Sequence, residues 1–169
     1  VSIAAIPFVA GRPEPGYVTL VDPGRPIPPA STRIHGIDDA RVAGAPLLDD
    51  VLPCFDAACA GRVLVGHDIA FDVSLLARAR RLRGRPEPGL IALDTRRLAV
   101  ALNPSWRRQA ELETVAARLG ILVVGRHTAD GDARLAGEIL VALLPEFRQR
   151  GVETLRALEW AQTAVYRRT

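Results

Sequence analysis

Apolar runs broken by proline- and glycine-rich turns divide the chain into short segments. Residues 1–10, VSIAAIPFVA, are almost continuously apolar with β-branched members, which predicts a buried strand. GRPEPG at 11–16 consists of turn formers, and YVTLVD at 17–22 reads as the returning strand of a hairpin. Residues 23–46 hold too many prolines for regular structure before the short DDARVAG turn, so a long loop, functional or disordered, is expected there. Residues 47–60 fit a helix interrupted or kinked at Pro53.

Further along, RVLVGHD at 62–68 predicts a short strand ending in polar groups, and AFDVSLLARARRL at 70–82 predicts an amphipathic helix. Phe71, Leu75, Leu76 and Leu82 make its apolar side, with arginines on the other. A second GRPEPG at 84–89 has flanks unlike the first, so it is shared turn chemistry and not a repeat. LIALD at 90–94 predicts another strand, and helices are expected over 95–102, 110–119, 130–149 and 152–166. A hairpin followed by strands alternating with helices defines an α/β class with a mixed sheet. Functional groups in such sheets gather where strands end. That places Asp68, Asp72 and Asp94 near one edge.

Composition narrows the class. A chain of 169 residues is expected to fold as one domain, 1–169, with a true core. No apolar run is long enough to span a membrane and no stretch reads as a signal peptide. Cys54 and Cys59 suit neither a zinc site nor a disulfide framework; they are expected as buried helix residues in a reducing cytoplasm. The net charge is +3, and all 22 basic residues are arginine. Arginine suits phosphate contacts, but genome base composition produces the same bias, so charge alone assigns no nucleic-acid partner. The chain contains no methionine and opens on a strand-like run, so it is expected to belong to a longer polypeptide extending N-terminally.

Chemistry concentrates in three polar clusters. In VGHDIAFD, Asp72 falls in a first helical turn, where the helix dipole alone would favour a carboxylate. In LDTRRL, Asp94 could cap a helix through the Thr95 and Arg96 amides. In RHTADGDA, Asp130 and Asp132 both lie near a helix start but face different ways, so one can cap while the other points at a site. His127 just before them could take a proton from water beside a carboxylate-held cation.

Taken in order, IPPASTRIHGIDD, LVGHDIAFDVSLL, ALDTRRLA, ELETVAARLGI and RHTADGDA resemble the DnaQ-like, DEDDh-type 3′–5′ exonucleases, over about residues 1–145. The resemblance implies an RNase H-like mixed sheet flanked by helices. It implies hydrolysis of phosphodiester bonds at nucleic-acid 3′ ends by two divalent ions, Mg2+ or Mn2+. Hard oxygen ligands suit such ions, and two of them clamp the attacking and leaving oxygens. By the same resemblance Asp72 and Asp132 are metal ligands, His127 is the general base, and His35, Gly36, Ile37, His67 and Phe71 border the substrate. The partner implied is a single-stranded or frayed 3′ end of DNA or RNA, in the setting of a DNA polymerase or a fused domain, with no membrane. Asp68 departs from the family, where many members carry asparagine.

One block of the family is missing. Its first strand carries an Asp-x-Glu pair, two of the four metal carboxylates, and no such pair occurs in these 169 residues. The sheet is therefore expected to lack that strand here, and an active enzyme is expected only with the pair supplied upstream. The alternative is a catalytically incomplete nucleic-acid-binding or polymerase-docking module on the same fold.

Overall fold

The computed structural model describes residues 1–164, which divide into two compact units. The first comprises residues 1–60 and 124–134, and the second residues 61–123 and 135 onward. Among the described residues no helix is long and apolar enough to cross a membrane.

In the first unit, strand β1 (Ser2–Ala5) pairs antiparallel with β4 (Tyr17–Leu20), with Ser2 opposite Leu20 and Ala5 opposite Tyr17. Between them β2 (Phe8–Val9) and β3 (Arg12–Pro13) form a separate hairpin. The expected single strand over 1–10 is thus broken at Ile6–Pro7, because Pro7 has no N–H for the ladder. The tight turn also lies earlier than expected. Ala10 and Gly11 both have positive φ, 49° and 78°, which suits the twist of a two-residue hairpin loop.

The proline-rich stretch holds more regular structure than expected. Helix α1 (Pro29–His35) begins directly after Pro28, and α2 (Asp39–Val42) follows. Pro29 stands at the first helical position, where its fixed φ helps and its missing N–H costs nothing. Asp38 caps α2 by accepting from the Arg41 amide. Helix α3 (Leu48–Cys59) runs through Pro53 and packs on β1 and β4 with Val51, Leu52, Phe55 and Cys59 buried. Cys54 lies on its exposed side, correcting the expectation that both cysteines are buried.

In the second unit, β5 (Leu64–Gly66) leads into α4 (Ala70–Leu82), and β6 (Ala92–Asp94) into α5 (Thr95–Leu102). β5 and β6 are parallel, with Gly66 opposite Asp94. A 3₁₀ turn (Pro104–Arg108) that the hydrophobic pattern does not reveal precedes α6 (Leu112–Arg118). Helix α7 (Ala129–Gln149) starts in the first unit and runs through the second, and α8 (Leu155–Ala164) follows. The expected end of this last helix, 165–166, lies outside the described residues. The core of the unit joins Leu98, Ala99, Val115, Leu135, Ile139, Leu143 and Phe147.

Helix α4 is rotated relative to expectation. Phe71, Leu75 and Leu82 lie on the exposed side, while Arg80 is only 4% exposed. The cause lies at its start. Gly66 admits Ile69 so closely that a Cβ there would fall 2.9 Å from the Ile69 Cβ. With Ile69 anchored, positions 76 and 80 follow it inward at helical spacing.

Ile139 has no exposed surface and sits at the centre of the α7 contact face. Ile139→Ala is expected to lower unfolding free energy by about 2–5 kcal/mol, the cost of lost burial plus a cavity. Urea denaturation of the variant against wild type measures it; a loss below about 1 kcal/mol would contradict this core assignment.

Candidate active site

Two polar assemblies, one in each unit, hold the residues singled out by the sequence. In the second unit, β5 ends at Gly66 and hands over to His67 and Asp68. The His67 Nε2 lies 2.7 Å from the Ala110 carbonyl oxygen, which can only accept, so Nε2 carries the proton and donates. Nδ1 then accepts from the Thr95 hydroxyl at 2.9 Å. Thr95 is fully buried, and its hydroxyl also lies 3.2 Å from the Gly66 carbonyl. Burial pushes the imidazole below its ordinary value, outweighing the Ala110 bond and the charges of Asp68 and Asp94. Both ring nitrogens of His67 are thus engaged inside its own unit.

Asp68 adopts a left-handed backbone, φ 58°, a conformation that costs a non-glycine residue about 1 kcal/mol or more. Its N–H donates to Asp94 Oδ1 at 3.2 Å, and its carbonyl accepts from the Phe71 amide at 3.1 Å. Its carboxylate pairs with Arg96 at 2.8 Å. The same Oδ1 of buried Asp94 caps α5 by accepting from the Arg96 and Arg97 amides. The capping expectation for Asp94 therefore holds, one residue further along than the Thr95 and Arg96 pair. Asp72 lies in the first turn of α4. Its side chain reaches solvent, yet desolvation by the surrounding protein pushes its carboxyl up, and nearby Asp68 adds to the rise. Phe71 beside it is 68% exposed.

In the first unit the segment 125–132 folds around one carboxylate. Gly125 and His127 both have positive φ, 70° and 63°. Thr128 accepts from the Gly131 amide through its hydroxyl, and its carbonyl accepts the Asp132 amide at 3.0 Å. Asp132 Oδ1 takes the His127 N–H at 3.3 Å and forms an ion pair with Arg126. His127 itself is exposed. A Cβ at Gly131 would fall 2.0 Å from the Gly125 carbonyl oxygen, so the glycine is what lets this loop fold back on the helix start. The five-residue spacing of His127 and Asp132 thus closes a small ring. Arg126 and Gly131, which complete it, carry no signal in composition or periodicity.

The first unit also carries the segment after α1. Gly36 ends the helix in a left-handed conformation, φ 69°. His35 Nδ1 accepts the Ile37 amide at 3.1 Å, and the Ile37 side chain is buried. His35 and Gly36 keep exposed surface. Neighbouring Ile34, not singled out from sequence, is 64% exposed. Among the described residues, neither unit by itself brings together three or more His, Cys, Asp or Glu groups as a metal cage.

The fold is of the RNase H-like α/β class, and its polar groups collect at strand ends and helix starts. A family model described as Exonuclease, RNase_T, matches residues 1–140, and the chain belongs to that family. The DNA polymerase III subunit epsilon-like protein of Rhodobacter capsulatus is 40% identical over 162 residues, covering 94% of this chain and 23% of the relative. The PolC-type DNA polymerase III of Lacticaseibacillus paracasei is 29% identical over 159 residues, 94% of this chain and 11% of the relative. The chain therefore spans under a quarter of either curated relative. Among solved structures, exonuclease X in complex with 5′ overhanging duplex DNA superposes with a TM-score of 0.73 at 25% identity. That match covers 96% of this chain and 90% of the other.

Two outcomes are expected from these assemblies. Gly131→Ala forces the helix start and the 125–128 loop apart and is expected to cost about 1–3 kcal/mol, with amide exchange at Thr128 and Asp132 accelerated. An unshifted thermal midpoint would show that the loop relaxes freely. For His67 the folded-state value lies below the unfolded one, so on acidification the unfolded chain takes the proton first. Its stability contribution is complete above about pH 6.5 and is lost as pH falls toward the folded value. His67→Gln should flatten that part of a stability–pH curve measured by urea denaturation; a curve superimposable on wild type would refute the buried neutral imidazole.

Proposed function

We propose that this chain is the exonuclease portion of a longer cytoplasmic protein, removing nucleotides in the 3′–5′ direction from single-stranded or frayed ends of DNA or RNA. The reading is supported foremost by the ring that joins His127 to Asp132, in a chain belonging to the exonuclease family. On this reading Asp72 and Asp132 are metal ligands, with the Asp-x-Glu pair supplied from outside these 169 residues.

The donor chemistry fits Mg2+ or Mn2+. Asp132 already holds a cationic group, the Arg126 guanidinium, and Asp72 and Asp68 are neighbouring carboxylates whose repulsion a cation would relieve. Two such ions, when bound, neutralise charge on the attacking and leaving oxygens of an in-line displacement. The chain's own residues do the rest. The exposed His127 imidazole takes the proton of the attacking water at a ring nitrogen, and its left-handed backbone, fixed by Asp132, sets where that ring projects. Exposed Phe71 offers a ring on which a terminal base can stack. In the first unit His35, Gly36 and Ile37 are read as substrate-bordering residues, with His35 and Gly36 keeping exposed surface. His67 is read as a substrate-bordering residue at the end of β5, its ring held by Ala110 and Thr95. A polymerase or other fused domain would deliver the 3′ end, as the partial coverage of the polymerase relatives suggests.

The decisive assay follows a 5′-labelled oligonucleotide with the full-length protein and Mg2+ or Mn2+. A stepwise ladder is expected, abolished by chelator, and reduced by roughly 10²–10⁴-fold in His127→Ala, with a comparable loss in Asp132→Asn. Salt-dependent binding of single-stranded ends without chelator-sensitive turnover would instead establish the non-catalytic binding module. A ladder unchanged in Asp132→Asn would remove Asp132 from the site.

A further inference from the structure

The LDT block and the last helix have no part in the proposed chemistry, yet they meet at the frame that carries Asp72. Gln162 lies on α8, beyond the residues matched by the family model. Its Oε1 accepts the Asp94 N–H at 2.8 Å, and its Nε2 donates to the Ala92 carbonyl at 2.9 Å. Those two groups flank Leu93 and are the pair that a neighbouring parallel strand would engage. One side-chain amide thus stands in for a strand on the edge of β6 opposite β5.

The consequences run along β6 into the candidate site. Asp94 is 4% exposed, and its carboxylate Oδ1 holds the left-handed Asp68 by its amide. Asp68 in turn accepts the Phe71 amide, next to Asp72. Thr95, the residue after Asp94, holds the His67 ring on the other side of the same turn. A shift of the Asp94 main chain therefore moves the carboxylate that fixes the strand-to-helix turn.

We propose that Gln162 is a positioning residue for the active site: by clamping Ala92 and Asp94 it sets the Asp94 carboxylate, and through the Asp68 amide the turn that presents Asp72. The inference rests on the reading of Asp72 as a functional carboxylate, but its structural half is independent of that reading.

The test compares Gln162→Ala and Gln162→Glu with wild type in the full-length protein. A small cavity bordered by Ile69, Val73, Ala92, Asp94 and Arg97 adjoins the side chain, so neither substitution overpacks the site. Hydrogen exchange at the Asp94 and Asp68 amides reads the clamp, with the Ile139 amide as reporter of global opening. In Gln162→Ala the Asp94 and Asp68 amides are expected to exchange about tenfold faster or more with Ile139 unchanged, and kcat on a 5′-labelled oligonucleotide to fall about tenfold with KM within twofold. The carboxyl introduced by Gln162→Glu accepts and donates as the amide does while it is protonated, whereas once ionised it cannot donate to Ala92. The ratio of Gln162→Glu to wild-type exchange at Asp68 should therefore return toward one as pH falls through the titration of that carboxyl.

Unchanged exchange at Asp68 in Gln162→Ala overturns the proposal. So does equal acceleration at Asp94, Asp68 and Ile139, which marks a general loss of stability, and so does faster exchange with an unaltered kcat. If the wild-type protein shows no nuclease turnover, the function reading fails, and the exchange ratios still decide whether Gln162 sets the turn.

Discussion

Each unit holds one residue in a backbone conformation that side chains ordinarily avoid, and a carboxylate holds each of them there. Asp68, φ 58°, gives its amide to Asp94 Oδ1; His127, φ 63°, gives its amide to Asp132 Oδ1. Each left-handed residue costs about 1 kcal/mol or more relative to an ordinary conformation. Such strain persists only where the surroundings over-determine it. Here the surroundings are charge-assisted bonds, stronger than neutral ones and fixed in direction. Both turns stand immediately before a helix, so what they fix is the projection of the first side chains of α4 and α7.

The hydrophobic core then stiffens what these bonds aim. Helix α7 carries Asp132 in its opening turns and Leu135, Ile139, Leu143 and Phe147 along its buried side. Asp132, which closes the His127 ring, thus stands in the opening turns of a helix whose later turns are buried. In the second unit Leu93 and Leu98 are buried on either side of Asp94 and Thr95. A buried carboxylate of this kind is tolerable only because it is satisfied, by amides on one oxygen and by Arg97 at 3.6 Å on the other. The polar bonds provide direction and the apolar contacts provide rigidity, and neither alone would place a side chain to within a fraction of an ångström.

Much of this was legible in the sequence wherever local chemistry decides. The β1–β4 pairing, the helices after β5 and β6, and the His127–Asp132 spacing all follow from short-range pattern. Other features depended on contacts the pattern cannot express. Helix α1 was hidden because its prolines read as breakers, although Pro29 occupies the one helical position that welcomes it. Helix α4 holds two apolar stripes, one beginning at Phe71 and one at Ile69, and periodicity cannot choose between them. The choice falls to Gly66, whose missing side chain admits Ile69. Gly131 is required by the Gly125 carbonyl, and Gln162 by a strand edge 68 residues before it. Such roles exist only after folding.

The distribution of arginine gives the carboxylates different standing. Asp68 is matched by Arg96, Asp94 by Arg97 and Asp132 by Arg126. These pairs neutralise charge where the fold concentrates it, which is a sufficient role for the chain's arginine bias at this place without any nucleic acid. Asp72 is different: among the described residues it has no ion pair, and its neighbour Asp68 repels it. Under the proposed reading a divalent ion held there would relieve the repulsion between Asp68 and Asp72.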